Sequence, residues 1–329
     1  MTVATYRRLL REAAGVGAEE LRVAGADVAE RLQSRWPELV SELEGIAQGA
    51  RQDVLELAAI NARTELLAGT PRSECSVIGR MRGPSVTLAQ TWDWHPDLRP
   101  AALLWTVIRA DGSWFTTATE AGILAKLGVN RHGVACALNF LTCSADGAAG
   151  GIPIHVLLRL VLERCSTGAE ALLLLRDART AASSCITIAA ASPGGGELFA
   201  AELTPGGARI VRPDADGWLV HTNHFLAAPA AGFDTQPDLH PGTLLRRRQL
   251  VGLVRSGVSP LDALARHEPS AEPVCRHDDP PGTPWPDRRA TLLAIDIEPA
   301  GPSLRLAAGP PCAVPFEAVR LPGRMVAAP

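Results

Sequence analysis

The sequence predicts an α+β fold in which two antiparallel sheets pack face to face with helices outside. Three observations predict it. Residues 1–68 carry apolar side chains at helical spacing. From Cys75 onward the apolar period drops from about 3.6 to about 2. The later segments then run strands, a helix pair, strands, helices and strands, an order that does not interleave single helices with single strands as a parallel sheet requires.

The elements follow in order. "GAEELRVAGADVAERLQSRW" opens with acids and closes with arginines, as the helix dipole favours. "WPELVSELEGIAQGA" has Pro37 at a helix start and a Gly near its end. "RQDVLELAAINARTELLAG" aligns Val54, Leu55, Ala58, Ala62 and Leu66, and Gly69 and Pro71 stop it. "CSVIGRM" and "SVTLAQTWDW" flank the turn Arg82-Gly83-Pro84. "ALLWTVIRA" and "SWFTTATE" flank Asp111-Gly112, and "GILAKLG" and "GVACALNFL" flank "VNRH". The helices "PIHVLLRLVLERC" and "GAEALLLLRDA" come next. Strands return as "SCITIAAA", "GELFAAEL", "ARIVRP" and "GWLVHTN". Residues 242–266 are helical, a Pro-rich and acidic surface loop follows, and "RATLLAIDIEP" with "SLRLAAG" closes as a hairpin. Gly194 to Gly196 lies between strands and precedes no helix, so it is a turn and not a nucleotide loop.

Composition excludes several functions. The chain has 329 residues, 47% apolar and 20% charged, with a net charge of −3, which disfavours nucleic acid and anionic membranes as partners. Lys126 is the only lysine. No apolar run reaches the roughly 18 residues of a membrane span, and the first residues lack a signal-peptide core, so a cytoplasmic location is expected. The seven cysteines are odd in number and include no CxxC pair, which reads as free thiols with neither a disulfide frame nor a zinc site. No cofactor motif is present, and no cofactor or metal is expected.

Cys75 stands where the helical period gives way to strands. A cut before it would place a thiol and an α-amine on one residue. The amine titrates near 7.7 to 8.0 and the thiol near 8.5, so nucleophile and base would form one unit. Three stretches bear on this reading. In "AQTWDW", the hairpin brings Asp93 back toward Cys75, where a carboxylate holds an ammonium or orients a thiol; the alternative is a surface Asp. In "HTNHFL", Asn223 is an oxyanion donor, worth roughly 3 to 4 kcal/mol in a transition state, or a turn residue. Asn139 lies in an otherwise apolar strand, as a satisfied core amide or a second oxyanion donor. His221 and His224 lack a third metal ligand. A cysteine peptidase with a Cys–His pair would instead draw its base from His132, His155, His221 or His224. Trp92, Trp94 and Phe140 are candidates for an apolar acyl pocket, with Trp105 and Trp114, against a plain core role.

"NARTE", "CSVIG", "QTWDW", "TEAGILAKLGVNRHGVACALN", "GIPIHVLLRLVLE", "VHTNHFL", Cys275-Arg276 and "RRATLLAIDIEP" occur in the order seen in the acyl-coenzyme A:6-aminopenicillanic acid acyltransferase family, the peptidase C45-like N-terminal-nucleophile (Ntn) hydrolases. The resemblance runs from about residue 50 to 310. It implies the four-layer αββα Ntn fold and self-cleavage between Glu74 and Cys75. The products would be a helical α segment, residues 1–74, and a catalytic β chain, residues 75–329, paired as a heterodimer within one structural domain. It implies Cys75 as nucleophile, its amine as base, and Asp93, Asn223 and Asn139 around them. It also implies an arginine near the nucleophile, for which the register favours Arg288 over Arg289. The expected activity is amide hydrolysis or acyl transfer on a small N-acyl metabolite or acyl thioester through an acyl-thioenzyme. The alternative is an uncleaved binding or scaffold protein. Glu74 and Ser76 depart from the family's usual Gly and Thr around the Cys, and Thr91 from its Asn.

Overall fold

In the computed structural model, residues 1–68, 70, 74–147, 150–192, 194–267 and 272–323 are described. Pro71 and part of the Pro-rich acidic loop therefore lie outside the described residues.

The N-terminal segment folds into α1 (Thr2–Ala14), α2 (Ala18–Arg35), α3 (Pro37–Ala50), α4 (Val54–Asn61) and α5 (Arg63–Leu66). The third helix expected from the sequence is thus two, broken at Ala62. Asp53 caps α4 by accepting the Leu55 N–H at 2.8 Å. Helix α2 crosses α4 at Gly25, where a Cβ would stand 1.9 Å from the Leu55 carbonyl oxygen. Only glycine permits that approach.

The strands are β1 (Glu74–Arg82), β2 (Ser85–Trp94), β3 (Ala102–Ile108), β4 (Trp114–Glu120), β5 (Leu127–Asn130) and β6 (Val134–Phe140). Helices α6 (Ile154–Arg164) and α7 (Gly168–Asp177) follow. Next come β7 (Ser184–Ala190), β8 (Glu197–Thr204), β9 (Gly207–Val211) and β10 (Trp218–His221). Helices α8 (Gln236–Leu239), α9 (Gly242–Arg255) and α10 (Pro260–Leu264) precede β11 (Ala290–Glu298), β12 (Ser303–Ala307) and β13 (Glu317–Val319). Gly83, at φ 58°, makes the first hairpin turn as expected. The strand expected over 122–128 starts later, at Leu127. Gly122 takes φ 90°, and Asn61 fixes the turn by donating to the Gly122 carbonyl and accepting from the Leu124 N–H, both at 2.8 Å.

Two antiparallel sheets result. One has the order β10-β1-β2-β11-β12-β13; the other is a meander, β3-β4-β5-β6-β7-β8-β9. Strands β1 and β2 pack on β6 and β7 of the facing sheet. Helices α6 and α7 cover the meander, and α9 and α10 cover β1, β2 and β10. This is the expected αββα order of the Ntn-hydrolase fold. The main core runs without interruption from Val3 in α1 to Leu321, so the N-terminal helices share one core with both sheets. Gln90 ties the sheets together: its amide donates to the Leu138 carbonyl at 2.6 Å and accepts the Leu138 N–H at 2.9 Å.

Candidate active site

The β1–β2 register pairs Cys75 with Trp92 and Glu74 with Asp93. Directly paired residues share a face, so Cys75 and Trp92 face the facing sheet and Asp93 alternates to the other side. There Thr291 of β11 donates to Asp93 Oδ1 at 2.6 Å. A β-bulge between Thr291 and Leu293 sits opposite this point, where bulges re-aim side chains.

The Cys75 backbone is held at both ends. Its N–H donates to Asn223 Oδ1 at 2.9 Å, and its carbonyl accepts from Asn139 Nδ2 at 3.0 Å. Both asparagines are fully buried. They reach Cys75 as expected, and both bonds are to its backbone. Asn223 Nδ2 donates to the Phe140 carbonyl at 3.0 Å, and its oxygen faces the Cys75 nitrogen.

Arg288 does not reach the site; its Nε donates to the Thr283 carbonyl at 3.4 Å. Arg289 Nη1 donates to the carbonyls of Pro286 and Arg288, and its guanidinium lies 5.6 Å from the Trp94 ring centroid. The arginine at Cys75 is Arg246 of α9, also fully buried. It donates to the Cys75 carbonyl at 3.3 Å, to Ser76 Oγ at 3.0 Å and to Asn223 Oδ1 at 2.9 Å. The sequence held a signal for it. Thr243, Arg246, Leu250 and Val254 recur at three- and four-residue spacing and form the buried stripe of α9.

A cleft of about 460 Å³, partly open to solvent, lies beside Cys75. Trp92, Trp94 and Phe140 line it as expected, with Gln90, Leu138, Ser184, Lys126 and His155. Arg63, Thr64 and Leu67 of the N-terminal segment complete the wall. Trp105 and Trp114 take no part; the Trp105 ring lies 5.7 Å from the Arg159 guanidinium.

One wall is a buried polar network that the sequence reading missed. Glu120 accepts from Tyr6, whose oxygen in turn accepts the Trp94 indole N–H at 3.0 Å. Arg63 donates to both Glu120 oxygens at 3.3 Å, and Lys126 Nζ lies 3.1 Å from Glu120 Oε2. Burial pushes the Glu120 carboxyl up, but Arg63 and Lys126 outweigh it and keep the group ionised. With Arg63 answering Glu120, the Lys126 ammonium is the surplus buried charge. Desolvation brings it down to about 7, against the pull of Glu120. Lys126 Nζ stands 3.4 Å over the Trp92 ring, the cross-strand neighbour of Cys75, and feels the Cys75 sulfur.

Among the histidines, His155 alone lines the cleft. Its Nδ1 meets the Ala125 carbonyl at 2.9 Å, which makes Nδ1 the donor and leaves Nε2 as an acceptor. Burial, then Arg63 and Lys126, hold it neutral. His221 is paired with Glu202 at 2.9 Å and the Thr222 carbonyl at 2.7 Å. His224 bonds the hydroxyls of Thr222 and Thr243, and His132 is exposed on the β5–β6 turn. No helix among the described residues is long and apolar enough to cross a membrane.

Comparison with known proteins adds four similarities. The family model described as acyl-coenzyme A:6-aminopenicillanic acid acyl-transferase matches residues 81–246, a span that begins after Cys75 and contains Asp93, Lys126, Asn139, Asn223 and Arg246. The 40 kDa form of the acyl-coenzyme A:6-aminopenicillanic-acid-acyltransferase of Emericella nidulans is 30% identical over 197 residues, 59% of this chain. The match spans 54% of that relative, about half its length. Among solved structures, the Caenorhabditis elegans N-acylethanolamine-hydrolyzing acid amidase ortholog aligns over 68% of this chain and 92% of its own, at 14% identity and a TM-score of 0.48. Penicillin V acylase from Agrobacterium tumefaciens aligns over 71% of this chain and 82% of its own, at 15% identity and a TM-score of 0.47.

Proposed function

Because the chain belongs to the acyl-coenzyme A:6-aminopenicillanic acid acyltransferase family, we propose that it is an amide hydrolase or acyltransferase that cleaves itself between Glu74 and Cys75 and then uses the Cys75 thiol as its nucleophile. The observation that carries this is the grip on Cys75. Asn223 takes its nitrogen, Asn139 and Arg246 take its carbonyl, and the residue lines a cleft between apolar walls. A structural thiol does not require three buried polar side chains on its own backbone.

In the intact chain the Cys75 nitrogen is an amide and cannot act as base. The thiol proton passes to Lys126. The sulfur attacks the Glu74 carbonyl carbon, the Glu74–Cys75 C–N bond breaks, and Lys126 gives the proton to the departing nitrogen, which leaves as an amine. Water then opens the thioester to the Glu74 carboxylate and the free thiol. In the cleaved enzyme the new α-amine, held by Asn223 Oδ1, accepts the thiol proton. The thiolate attacks the acyl carbon of a small N-acyl metabolite or acyl thioester. The α-ammonium returns its proton to the departing amine or thiol. Water or an acceptor amine completes the cycle by displacing the sulfur. Asn139 and Arg246 supply N–H donors beside the reacting centre. Trp92, Trp94 and Phe140 suit an apolar acyl group.

A denaturing gel and intact-mass spectrometry test this. Purified protein should give two chains, with a break before Cys75 and an acyl adduct on the Cys75 chain after exposure to an activated acyl donor. A single full-length band in a preparation that still binds acyl amides would make the protein a binding module on the same fold. Two bands from Cys75→Ala would remove the thiol from the cleavage.

A further inference from the structure

Four potential metal ligands from three separate stretches of chain meet on the face behind β11, on the side of the sheet away from the catalytic cleft. Cys275 Sγ lies 3.4 Å from Cys312 Sγ, and His277 Nε2 lies 3.1 Å from Cys312 Sγ. Ligand atoms of His267, His277 and Cys312 all fall within 4.8 Å of one another. The two imidazole rings stand edge to face, with centroids 5.1 Å apart.

The Cys275–Cys312 and His277–Cys312 contacts approach the edges that a single ion sets. With Zn–S near 2.3 Å and Zn–N near 2.0 to 2.1 Å, the edges of a tetrahedron run from about 3.3 to 3.8 Å. Shifts of a few tenths of an ångström bring the Cys275–Cys312 and His277–Cys312 contacts to those edges, and the His267 imidazole, within 4.8 Å of His277 and Cys312, would turn inward by about 1 Å. The cysteines are free thiols at this separation, beyond the roughly 2.05 Å of a disulfide. The backbone presets the cluster. The Arg266 carbonyl accepts the N–H groups of Val274 at 3.1 Å and Cys275 at 2.9 Å, which fixes Cys275 beside the neighbour of His267. Cys275 is fully buried, whereas His267, His277 and Cys312 are exposed, so an ion can enter from solvent.

We propose that His267, Cys275, His277 and Cys312 bind one zinc-class divalent cation in a closed Cys2His2 site. The soft sulfur and imidazole set selects zinc over magnesium or calcium. All four positions are filled by protein, so the ion is structural and not catalytic. Binding releases the two thiol protons to solvent. Such a site would depart from the sequence expectation of inert thiols and no metal. The ligands lie eight, two and thirty-five residues apart in order, and no zinc-finger spacing announces them. The ion would clamp the long segment between α10 and β11 to the turn after β12. That segment carries Arg276, whose N–H donates to Thr291 Oγ1 at 2.9 Å, and Thr291 donates to Asp93 across from Glu74.

The test is anaerobic cobalt(II) titration of the reduced full-length protein, freed of any affinity tag. One equivalent of cobalt should bind with the intense visible bands of a tetrahedral thiolate–imidazole site, and zinc should displace it. Cys312→Ser and His277→Gln, both at exposed positions, should each weaken binding by about a hundredfold or more. Cys75→Ala should retain it, which separates this site from the catalytic thiol. Wild-type protein that binds no cobalt, or binding that survives Cys312→Ser, overturns the proposal. So does a Cys275–Cys312 disulfide in peptide maps of protein isolated without oxidant.

Discussion

Lys126 gives the sharpest prediction, because its charge is tied to pH in a known direction. Burial lowers it from an ordinary 10.5 to about 7 in the folded chain. Between those values the unfolded chain binds a proton that the folded chain refuses, so stability rises with pH across that window. The slope is about 1.4 kcal/mol per pH unit, and the full interval is worth about 5 kcal/mol. Below about pH 7 both states are protonated and the contribution is flat. The measurement compares Lys126 with Lys126→Met, both in a Cys75→Ala background that keeps the chain whole and unfolding unimolecular. Urea melts followed by tryptophan fluorescence at pH 7.5 and 9.5 give two stabilities for each. Titrating groups remote from Lys126 cancel in the difference. The lysine-containing chain should gain about 3 kcal/mol relative to Lys126→Met over those two pH units. A difference that stays constant refutes the reasoning, because an amine ionised in both states contributes no slope. The same amine should appear in kinetics. With Cys75 restored, self-cleavage should rise with pH to a plateau just above 7, and Lys126→Met should move that inflection toward the thiol's own range.

Three further outcomes test the rest of the framework. Arg246→Met removes a buried cation that bonds Cys75, Ser76 and Asn223; it should cost about 3 to 5 kcal/mol in urea melts and slow the appearance of the two-chain form at least about tenfold on a gel time course. An unchanged cleavage rate would take Arg246 out of the site. His155→Gln should keep self-cleavage within about tenfold of wild type, whereas a loss near a thousandfold would make His155 the base of a Cys–His pair. Gly25→Ala should lose about 1 to 3 kcal/mol, because the new methyl would drive α2 off the Leu55 backbone of α4; a wild-type melt would show that the two helices do not meet there.

The hairpins were legible because their turns carry chemistry that only turns need. Arg82-Gly83-Pro84 and Asp111-Gly112 each sit between alternating runs, and the strands follow on both sides. The start of β5 was not legible. The residues before it are as apolar as a strand, but Asn61, some sixty positions away in sequence, bends them into a turn. The site divides the same way. Asn139 stands out as an amide in an apolar strand and Asn223 as an amide at a strand end, and both reach Cys75. Their orientations were hidden, since which end of an amide faces Cys75 depends on partners such as Phe140. Arg246 lay in a run of three arginines, where only the helical stripe marks it as inward. Lys126 drew notice as the sole lysine, yet its meaning comes from Glu120, Arg63 and Trp92, which tertiary packing alone assembles.

That assembly bears on what self-cleavage would do. Breaking the bond before Cys75 frees a chain end but not a segment. Tyr6 and Arg63 belong to the part that precedes the cut, and both are bonded to Glu120, which follows it. Asn61 holds the turn into β5, and the Arg159 guanidinium of α6 grips Glu42 through two bonds of 2.6 Å. Departure of the helices would leave Glu120 with Lys126 alone of its three partners, and breaking a buried pair costs about 3 to 5 kcal/mol before any apolar surface is counted. The α segment would therefore stay docked as one half of a heterodimer. It would also stay functional, because Arg63, Thr64 and Leu67 form part of the cleft wall. On this geometry the proposed acyl preference would be written partly in the segment ahead of Cys75, and the proposed cleavage would serve to convert the Cys75 nitrogen from an amide into a base.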